Sequence, residues 1–489
     1  MKNIHRAFWQ EHPAMGFGIS ALLGALLFFY GAIVPAIIWI LYLLFLFPAK
    51  ALVHAFIICL IATQSYLLYS NRPSPGPGRA VFSIHSVQLH ASPFQKGWLY
   101  RGTLPAFQSD NQQWRIHLPC SLAYYGKAVD RPRADADYVL TGQLRQRSSF
   151  DFTFKANSWE KIPSTWSLAE WRYSAKQHIH RVLTQHIHDP RTVAFLAALF
   201  TGDIENRMLQ FEFGRIGLQY LLVISGFHFA ILMAFVTFVL RSILPSRIKL
   251  WVLLSIICLY YLFVGNSPPV QRSFFAAAIF LAGQLLNRRA SGLNILGACL
   301  LIETAIDPII AMSVGFQLSF LSCFGIFLFH QPLRRFLSIF FPMRRFHETV
   351  KLPPLAQCAY ILTSFFHRAL CLTLAVNLAL WPLLLAHFHR FPWLSLVYNL
   401  FTPGWTALSL FLLLLALTVY AAIPVLGLPL FQLAHLVSKN LLDLIANPPT
   451  LMDYGISSPF PGWALAPYII FLLFAGIHLK PLTNLDSLK

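Results

Sequence analysis

Apolar positions along this chain come in long unbroken runs, give way to alternation, and then run unbroken again. Residues 15–33, 34–47 and 51–69 form three apolar runs, punctuated by Pro35 and by Pro48-Ala49-Lys50. A full crossing of a bilayer takes about 20 residues. The second run is shorter, so the first two runs are expected to make a tight hairpin. A hydrophilic block follows over 72–165, opened by the Pro/Gly linker Arg72-Pro-Ser-Pro-Gly-Pro-Gly78. There the period drops to two: Phe82, Ile84 and Ser86 alternate with Ser83, His85 and Val87. Trp114, Ile116 and Leu118 alternate with Arg115 and His117, and Phe150, Phe152 and Phe154 with Asp151 and Thr153. Strands of this kind, bounded by Pro, Gly and Asp, predict a small antiparallel barrel or sandwich.

Residues 166–190 read as an amphipathic helix lying on a membrane surface, with Trp166, Trp171 and Tyr173 as interfacial anchors. From 191 onward apolar segments dominate. Spans are expected near 211–240, 250–265, 268–286, 292–306, 310–330, 371–389, 395–420, 421–446 and 463–479. Segments 192–202 and 355–370, the latter carrying His367 and Arg368, read as interfacial. The expected organisation is thus N-terminal spans (1–71), an outer β domain (72–165), a surface helix (166–190) and a large helical membrane domain (191–489). The fold class is a polytopic α-helical membrane protein with an inserted small all-β domain.

Composition supports this division. Hydrophobic residues are 57% of the chain, charged residues 11%, and mean hydropathy is +0.59. A soluble domain carries about 25% charged residues to cover its surface, so lipid must face much of this one. The net charge of +19 adds a sidedness argument. Arg241, Arg247 and Lys249 share one loop, Arg288 and Arg289 another, and Arg334, Arg335, Arg344, Arg345 and Lys351 a third. Alternate spans separate these loops, so all face one side, the cytoplasm by the positive-inside rule. Counting back from them, and forward from Lys2 and Arg6, places 72–165 outside. That block still holds 12 basic and 6 acidic residues. Topology does not require this outer excess, and a polyanion could use it. The first run lacks a small-residue cleavage site and is expected to be a retained span. The cysteines show no zinc spacing, and Cys120 is alone in the hydrophilic block.

Several stretches inside the apolar half keep polar groups that a lipid-facing helix would shed. One is Gly217-Leu-Gln-Tyr-Leu-Leu-Val-Ile-Ser225-Gly226-Phe227-His228, another Gly265-Asn-Ser267-Pro268-Pro269-Val-Gln271-Arg272. A third joins Asp307-Pro308 to Gly315-Phe316-Gln317-Leu318-Ser319-Phe320, and a fourth is the proline-broken 391–403 with Asn399. Broken helices at membrane depth are tolerated only inside protein or along a wet cavity.

In this order the stretches resemble the ComEC-type DNA-uptake channel family of bacterial competence. Its Ile-Ser-Gly-x-His helix matches 224–228, its Ser-Pro-x-x-x-Arg turn 267–272, its Asp-Pro and Gly-Phe-Gln-Leu-Ser-Phe 307–308 and 315–320, and its Pro-x5-Asn-x4-Pro segment, loosely, 392–403. The resemblance implies an OB-like outer domain, for which Asp137-Tyr-Val-Leu-Thr-Gly142-Gln-Leu is the expected strand. It implies a channel for DNA, taken up as a single strand, in the bacterial cytoplasmic membrane. It also implies a DNA receptor protein and a cytoplasmic helicase-like motor as partners. The metallo-β-lactamase-like domain that ends many members has a His-x-His-x-Asp-His motif that this sequence lacks. Any nuclease is therefore expected to be a separate protein, and neither metal nor other cofactor is expected here.

Under that reading a polar path involves Ser225, Gly226, His228, Arg272, Gln317 and Asn399. In the outer block, Trp98, Tyr100 and Trp114, with Tyr138 beside them, would stack on bases, and Arg101, Arg115, Arg145 and Arg147 would meet phosphates. Each residue also has a plainer role. Arg272 could snorkel, Ser225 and His228 could lock helices together, and the aromatics could be core. Gln317, Asn377 and Asn399 could be interhelical glue, and Glu303 with Asp307 a carboxylate pair or a simple turn. His178, His180, His186 and His188 share no helix face. The alternatives are a small-anion secondary transporter or an intramembrane Ser225/His228 hydrolase. The absence of a P-loop puts the driving force outside the chain.

Overall fold

A computed structural model describes residues 2–91, 96–109, 112–126, 130–148, 150–163, 165–288, 291–340, 348–349, 352–449 and 460–479. Arg289, Arg344, Arg345 and Lys351 of the charge argument lie outside the described residues, as do the side chains of Arg115 and Ile116.

The hydrophilic block is a closed barrel of β1 (Gly76–Ala91), β2 (Lys96–Ser109), β3 (Gln112–Tyr124), β4 (Tyr138–Ser148) and β5 (Asp151–Lys161). They run in the order β1-β2-β3-β5-β4 with β4 closing on β1, and only the short β3–β5 pairing is parallel. Of the barrel or sandwich that the alternation predicts, this is the barrel, in the OB-like form that the family resemblance implies. Phe82, Ile84, Tyr100, Leu104, Phe107, Leu118, Leu140, Phe152 and Phe154 fill the barrel. The alternation fails where registers shift: between Ile84 and Ser86 of β1, so Val87, not Ser86, points inward, and between Leu104 and Ala106 of β2, so Phe107 points inward. A bulge inserts one residue and exchanges the two faces beyond it.

Four helices precede the barrel: α1 (Lys2–Glu11), α2 (Pro13–Tyr30), α3 (Ile33–Leu46) and α4 (Pro48–Tyr69). The expected hairpin is α2–α3, turning at Gly31, whose φ of +63° suits glycine. After the barrel come α5 (Ala169–His186), α6 (Pro190–Thr201), α7 (Arg207–Arg215), α8 (Gly226–Leu240) and α9 (Ser246–Val264). The bundle continues with α10 (Pro268–Leu285), α11 (Gly292–Ile306), α12 (Val314–Leu337) and α13 (Pro354–Phe388). It ends with α14 (Leu394–Tyr398), α15 (Thr402–Ala422), α16 (Pro424–Ala446) and α17 (Leu465–Leu479). Among the described residues eight helical segments are long and apolar enough to cross a membrane.

Two expected boundaries are corrected. The run 211–240 is not one span: α7 stops at Arg215, a 3-10 turn occupies Gln219–Leu221, and α8 begins at Gly226. Conversely, 355–370 is not a separate interfacial piece, because it continues into a single 35-residue helix, α13. At 1.5 Å per residue α13 is about 52 Å long, well beyond the ~30 Å hydrocarbon layer.

Helix packing is close where glycine permits it. A Cβ on Gly18 of α2 would stand 2.5 Å from the Gly297 carbonyl of α11, and one on Gly24 would stand 2.6 Å from the Ile58 carbonyl of α4. Backbones in contact are what small residues achieve in membrane bundles. At the same seam His12 Nδ1 lies 3.0 Å from Ser291 Oγ.

The barrel stands on one end of the bundle. Tyr69 Oη donates to Asp307 Oδ1 at 2.6 Å, and Phe150 packs edge-on against Phe29 with ring centroids 4.8 Å apart. Arg172 of α5 donates to the carbonyls of Leu262 at 2.6 Å and His85 at 3.1 Å, tying α9 to β1. Lys176 pairs with Asp203 at 2.9 Å, and Gln88 of β1 donates to the same oxygen. These contacts fix the barrel-side ends of α4, α9 and α11. By alternation Arg241, Arg247, Lys249, Arg288, Arg334 and Arg335 fall at the opposite end, as the loop charges require. Trp166 and Trp171 are exposed, but Tyr173 is no lipid anchor: it accepts from Trp98 Nε1 at 3.0 Å and lies under the Arg131 guanidinium.

Candidate functional site

The proline pair at 268–269 starts α10, so Arg272 comes one turn below its barrel-side end. That end cannot leave Arg272 in water, because α8, α11 and α12 close around it and only 8% of the residue is exposed. Its Nε donates to Ser319 Oγ at 2.5 Å and its Nη1 to Cys323 Sγ at 3.1 Å. Ser319 and Cys323 are one turn apart on α12 and so present one face. A Cβ on Gly226 would stand 3.8 Å from Arg272 Nη2 and 3.7 Å from Ser273 Oγ. Three of the four polar stretches therefore meet at one guanidinium.

Glu303 of α11 adds a buried carboxyl group. It is 2% exposed, and neither carboxylate oxygen has a hydrogen-bond partner among the described residues. Arg272 is the cation that acts on it through space. Asp307 is no partner for Glu303: it caps the 3-10 turn at 308–312 through the Ile309 amide and holds Tyr69. The turn reading of Asp307 is the one the contacts favour.

Ser225 is the N-cap of α8, and the His228 ring turns back so that Nδ1 accepts from the Ser225 amide at 3.3 Å. His228 is buried, and its Nε2 has no partner among the described residues. This is a capping arrangement, which satisfies an otherwise orphaned amide. A hydrolase needs the base on the serine hydroxyl; here the ring nitrogen is engaged with the serine's backbone.

Gln317 and Asn399 belong to other seams. Gln317 bonds the Ala311 carbonyl at 2.9 Å and His387 Nε2 at 3.1 Å, joining α12 to α13. Asn399 accepts from Tyr220 Oη at 2.7 Å. Gly217 brings that strand of chain in: its φ is +74°, and a Cβ there would stand 2.3 Å from Pro392. Among the described residues Asn377 bonds only the Thr373 carbonyl of its own helix, at 2.8 Å, and joins no second helix.

In the barrel the structure divides the proposed stacking residues. Tyr100 is wholly buried and donates to the Pro132 carbonyl at 2.7 Å; burial pushes its phenol up to about 12. Tyr138 is also buried and donates to the Arg133 carbonyl at 2.6 Å. Neither offers a face to a base. Trp98 is engaged by Tyr173, and Trp114 stacks on Phe107 at 5.7 Å. Arg101, Arg145 and Arg147 are exposed. Arg115 lies in β3.

Sequence reasoning missed Ser319 and Cys323 as the groups that hold Arg272. The signal was present, since both lie on one face of the helix that opens with Gly315-Phe316-Gln317. It also missed the polar nest beneath α5, where Glu205 accepts from Gln177 at 3.3 Å beside Asp203. Burial, reinforced by Asp203, holds the Glu205 carboxyl above its ordinary range, against the opposing pull of His180. No group of three or more potential metal ligands occurs among the described residues.

Fold and site together define a class: a multi-span helical membrane protein carrying an OB-like barrel on one end, with a buried arginine cluster beneath it. The chain belongs to the competence-protein family, whose sequence model, described as Competence protein, matches residues 201–482. Among curated proteins it is similar to ComE operon protein 3 of Bacillus subtilis (strain 168), 23% identical over 409 residues. That alignment covers 76% of this chain and 47% of the relative, so the chain spans about half the length of the relative it matches. No solved structure matches the chain.

Proposed function

We propose that this protein is a channel that takes up DNA across the bacterial cytoplasmic membrane during natural transformation. The observation that carries the reading is the Arg272 cluster. Three polar, helix-breaking stretches from α8, α10 and α12 converge on a buried guanidinium directly below the outer barrel. An arginine held by neutral groups, with no carboxylate ion-paired to it among the described residues, retains positive potential to offer a phosphate entering from the barrel side.

In this reading DNA meets the barrel first, and one strand passes the cluster. A DNA receptor protein would deliver it, a cytoplasmic helicase-like motor would draw it in, and a separate nuclease would degrade the other strand. The chain supplies a path and no chemistry.

A deletion strain is tested for uptake of labelled DNA, with complementation by wild type, Arg272→Glu and Ser225→Ala. Loss of uptake on deletion and with Arg272→Glu, at normal membrane levels, supports the channel. Normal uptake in the deletion strain, with altered transport of a small anion, replaces it with the transporter reading. Loss of function with Ser225→Ala at normal levels reopens the hydrolase.

A further inference from the structure

The structure points away from the aromatic residues of the barrel and toward its opposite face. Strands β1, β4 and β5 are adjacent, and their outward positions are Pro77 and Arg79, then Thr141, Gln143 and Arg145, then Lys155 and Asn157. Registers set them side by side: Pro77 faces Gln143, Arg79 faces Thr141, and Gln143 faces Lys155. All seven are exposed, and so is Arg147 just beyond. The face is concave. A groove of about 460 Å³ runs over Arg79, Gln108, Thr141 and Asn157, and a second of about 430 Å³ continues from the shared Arg79 and Gln108.

Charge on this face is available. Among the described residues no carboxylate pairs with Arg145, Arg147 or Lys155. Arg79 meets Glu160 at 3.1 Å, but both side chains are largely in water, 61% and 70% exposed. Such a pair contributes little and exchanges readily for a stronger anion. The remaining groups, Thr141, Gln143 and Asn157, are the neutral donors that bind phosphate oxygens beside arginine and lysine. No aromatic ring lines either groove except Phe107, whose side chain is fully buried.

We propose that this β1–β4–β5 face binds the sugar–phosphate backbone of DNA, through Arg79, Arg145 and Lys155, without stacking on bases. The inference rests on the DNA reading above and sharpens it. Stacking is what favours single strands over duplex. A face without it holds duplex at least as well, because duplex phosphates are the denser charge. The barrel would then hold DNA before its strands part. An anionic lipid surface fits less well, since the face carries no exposed aromatic or long aliphatic side chain to insert.

The test is fluorescence anisotropy on the full chain in detergent, with a labelled 30-mer as single strand and as duplex, across a salt series. Wild type is compared with Arg79→Gln/Arg145→Gln/Lys155→Gln, with the charge-keeping Arg79→Lys/Arg145→Lys/Lys155→Arg, and with Arg101→Gln on the other face. Expected for the neutral triple is at least a tenfold loss for both probes at low salt. Its salt slope on duplex should fall by about 2.7, from roughly 0.9 per phosphate contact. The charge-keeping triple should bind within a few-fold of wild type, and Arg101→Gln should lose several-fold less affinity than the neutral triple. Three results overturn the proposal. The neutral triple binds like wild type while Arg101→Gln loses affinity. Single strand is preferred tenfold over duplex. Phosphatidylglycerol vesicles, but neither DNA probe, are bound by wild type and lost in the neutral triple. If wild type binds neither DNA nor vesicles, DNA contact by the barrel falls as a whole, and the uptake assay still judges the channel separately.

Discussion

Replacing Arg272 with methionine tests the buried cluster most directly. Methionine keeps an unbranched, flexible stem and removes the guanidinium with its charge and donors. Ser319 and Cys323 then lose their bonds to the guanidinium, and Glu303, 2% exposed with both oxygens unbonded among the described residues, loses the through-space attraction of Arg272. Arg272 and Glu303 form no direct ion pair among the described residues. The loss should therefore be about 1–3 kcal/mol, that of an uncompensated buried polar group, below the ~3–5 kcal/mol of a broken buried pair. The hydroxyl and thiol add little, since each can turn to a helix carbonyl one turn back. A second substitution separates the causes. In Arg272→Met/Glu303→Leu no buried carboxyl is left uncompensated, and replacing both polar partners with packed apolar side chains can be nearly neutral. The double variant should therefore recover part of the loss, with a coupling of about 0.5–2 kcal/mol. The assay is thermal exposure of the buried Cys299 and Cys371 to a thiol-reactive fluorophore in detergent, after the exposed Cys59 and Cys358 are changed to serine. The reasoning is refuted if Arg272→Met melts with wild type, or if Glu303→Leu deepens its loss.

Tyr100→Ala should destabilise the barrel by about 3–5 kcal/mol, as for a large core aromatic, while Arg101→Ala changes nothing measurable; limited proteolysis of the barrel reads both. Gly18→Leu should prevent assembly, because even a Cβ would stand 2.5 Å from the Gly297 carbonyl; yield of monodisperse protein checks it. Glu205 makes the barrel attachment pH-dependent. Its folded carboxyl is held above the ordinary range, mainly by burial. The folded state thus binds the proton more tightly than the unfolded, and attachment weakens as pH rises from the ordinary carboxylate value through the raised one. Hydrogen exchange in β1 near Gln88 should rise with pH over that window, and Glu205→Gln should flatten the dependence.

Much of this architecture was legible because each layer has its own period. Alternation gave the barrel, and parity alone assigns Tyr100 to the inside, since it shares a side with Leu104 and opposes Arg101. The stacking proposal set that parity aside in favour of residue type. The bulge after Ile84 was not legible, since one extra residue leaves no trace in composition. Nor was the break inside 211–240: hydrophobicity is continuous there, and only Gly214, Gly217 and Ser225-Gly226 hint that helix gives way. The convergence on Arg272 was foreseeable in part, as polar groups with nowhere else to go. Its partners come from helices far apart in sequence, and their meeting depends on packing that no local pattern encodes.

The glycine contact between α2 and α11 has a consequence in time. Its flanking residues His12 and Ser291 are 279 positions apart. At a synthesis rate of about 5–20 residues per second, α2 waits roughly 15–55 s for the helix it must touch. During that interval its small-residue face, shaped for a backbone, meets only lipid or the insertion machinery. The order in which the ribosome delivers the spans therefore leaves an unfinished surface near the N-terminus until more than half the chain exists. A chaperone of membrane insertion, or early pairing with α4 through Gly24, must guard it.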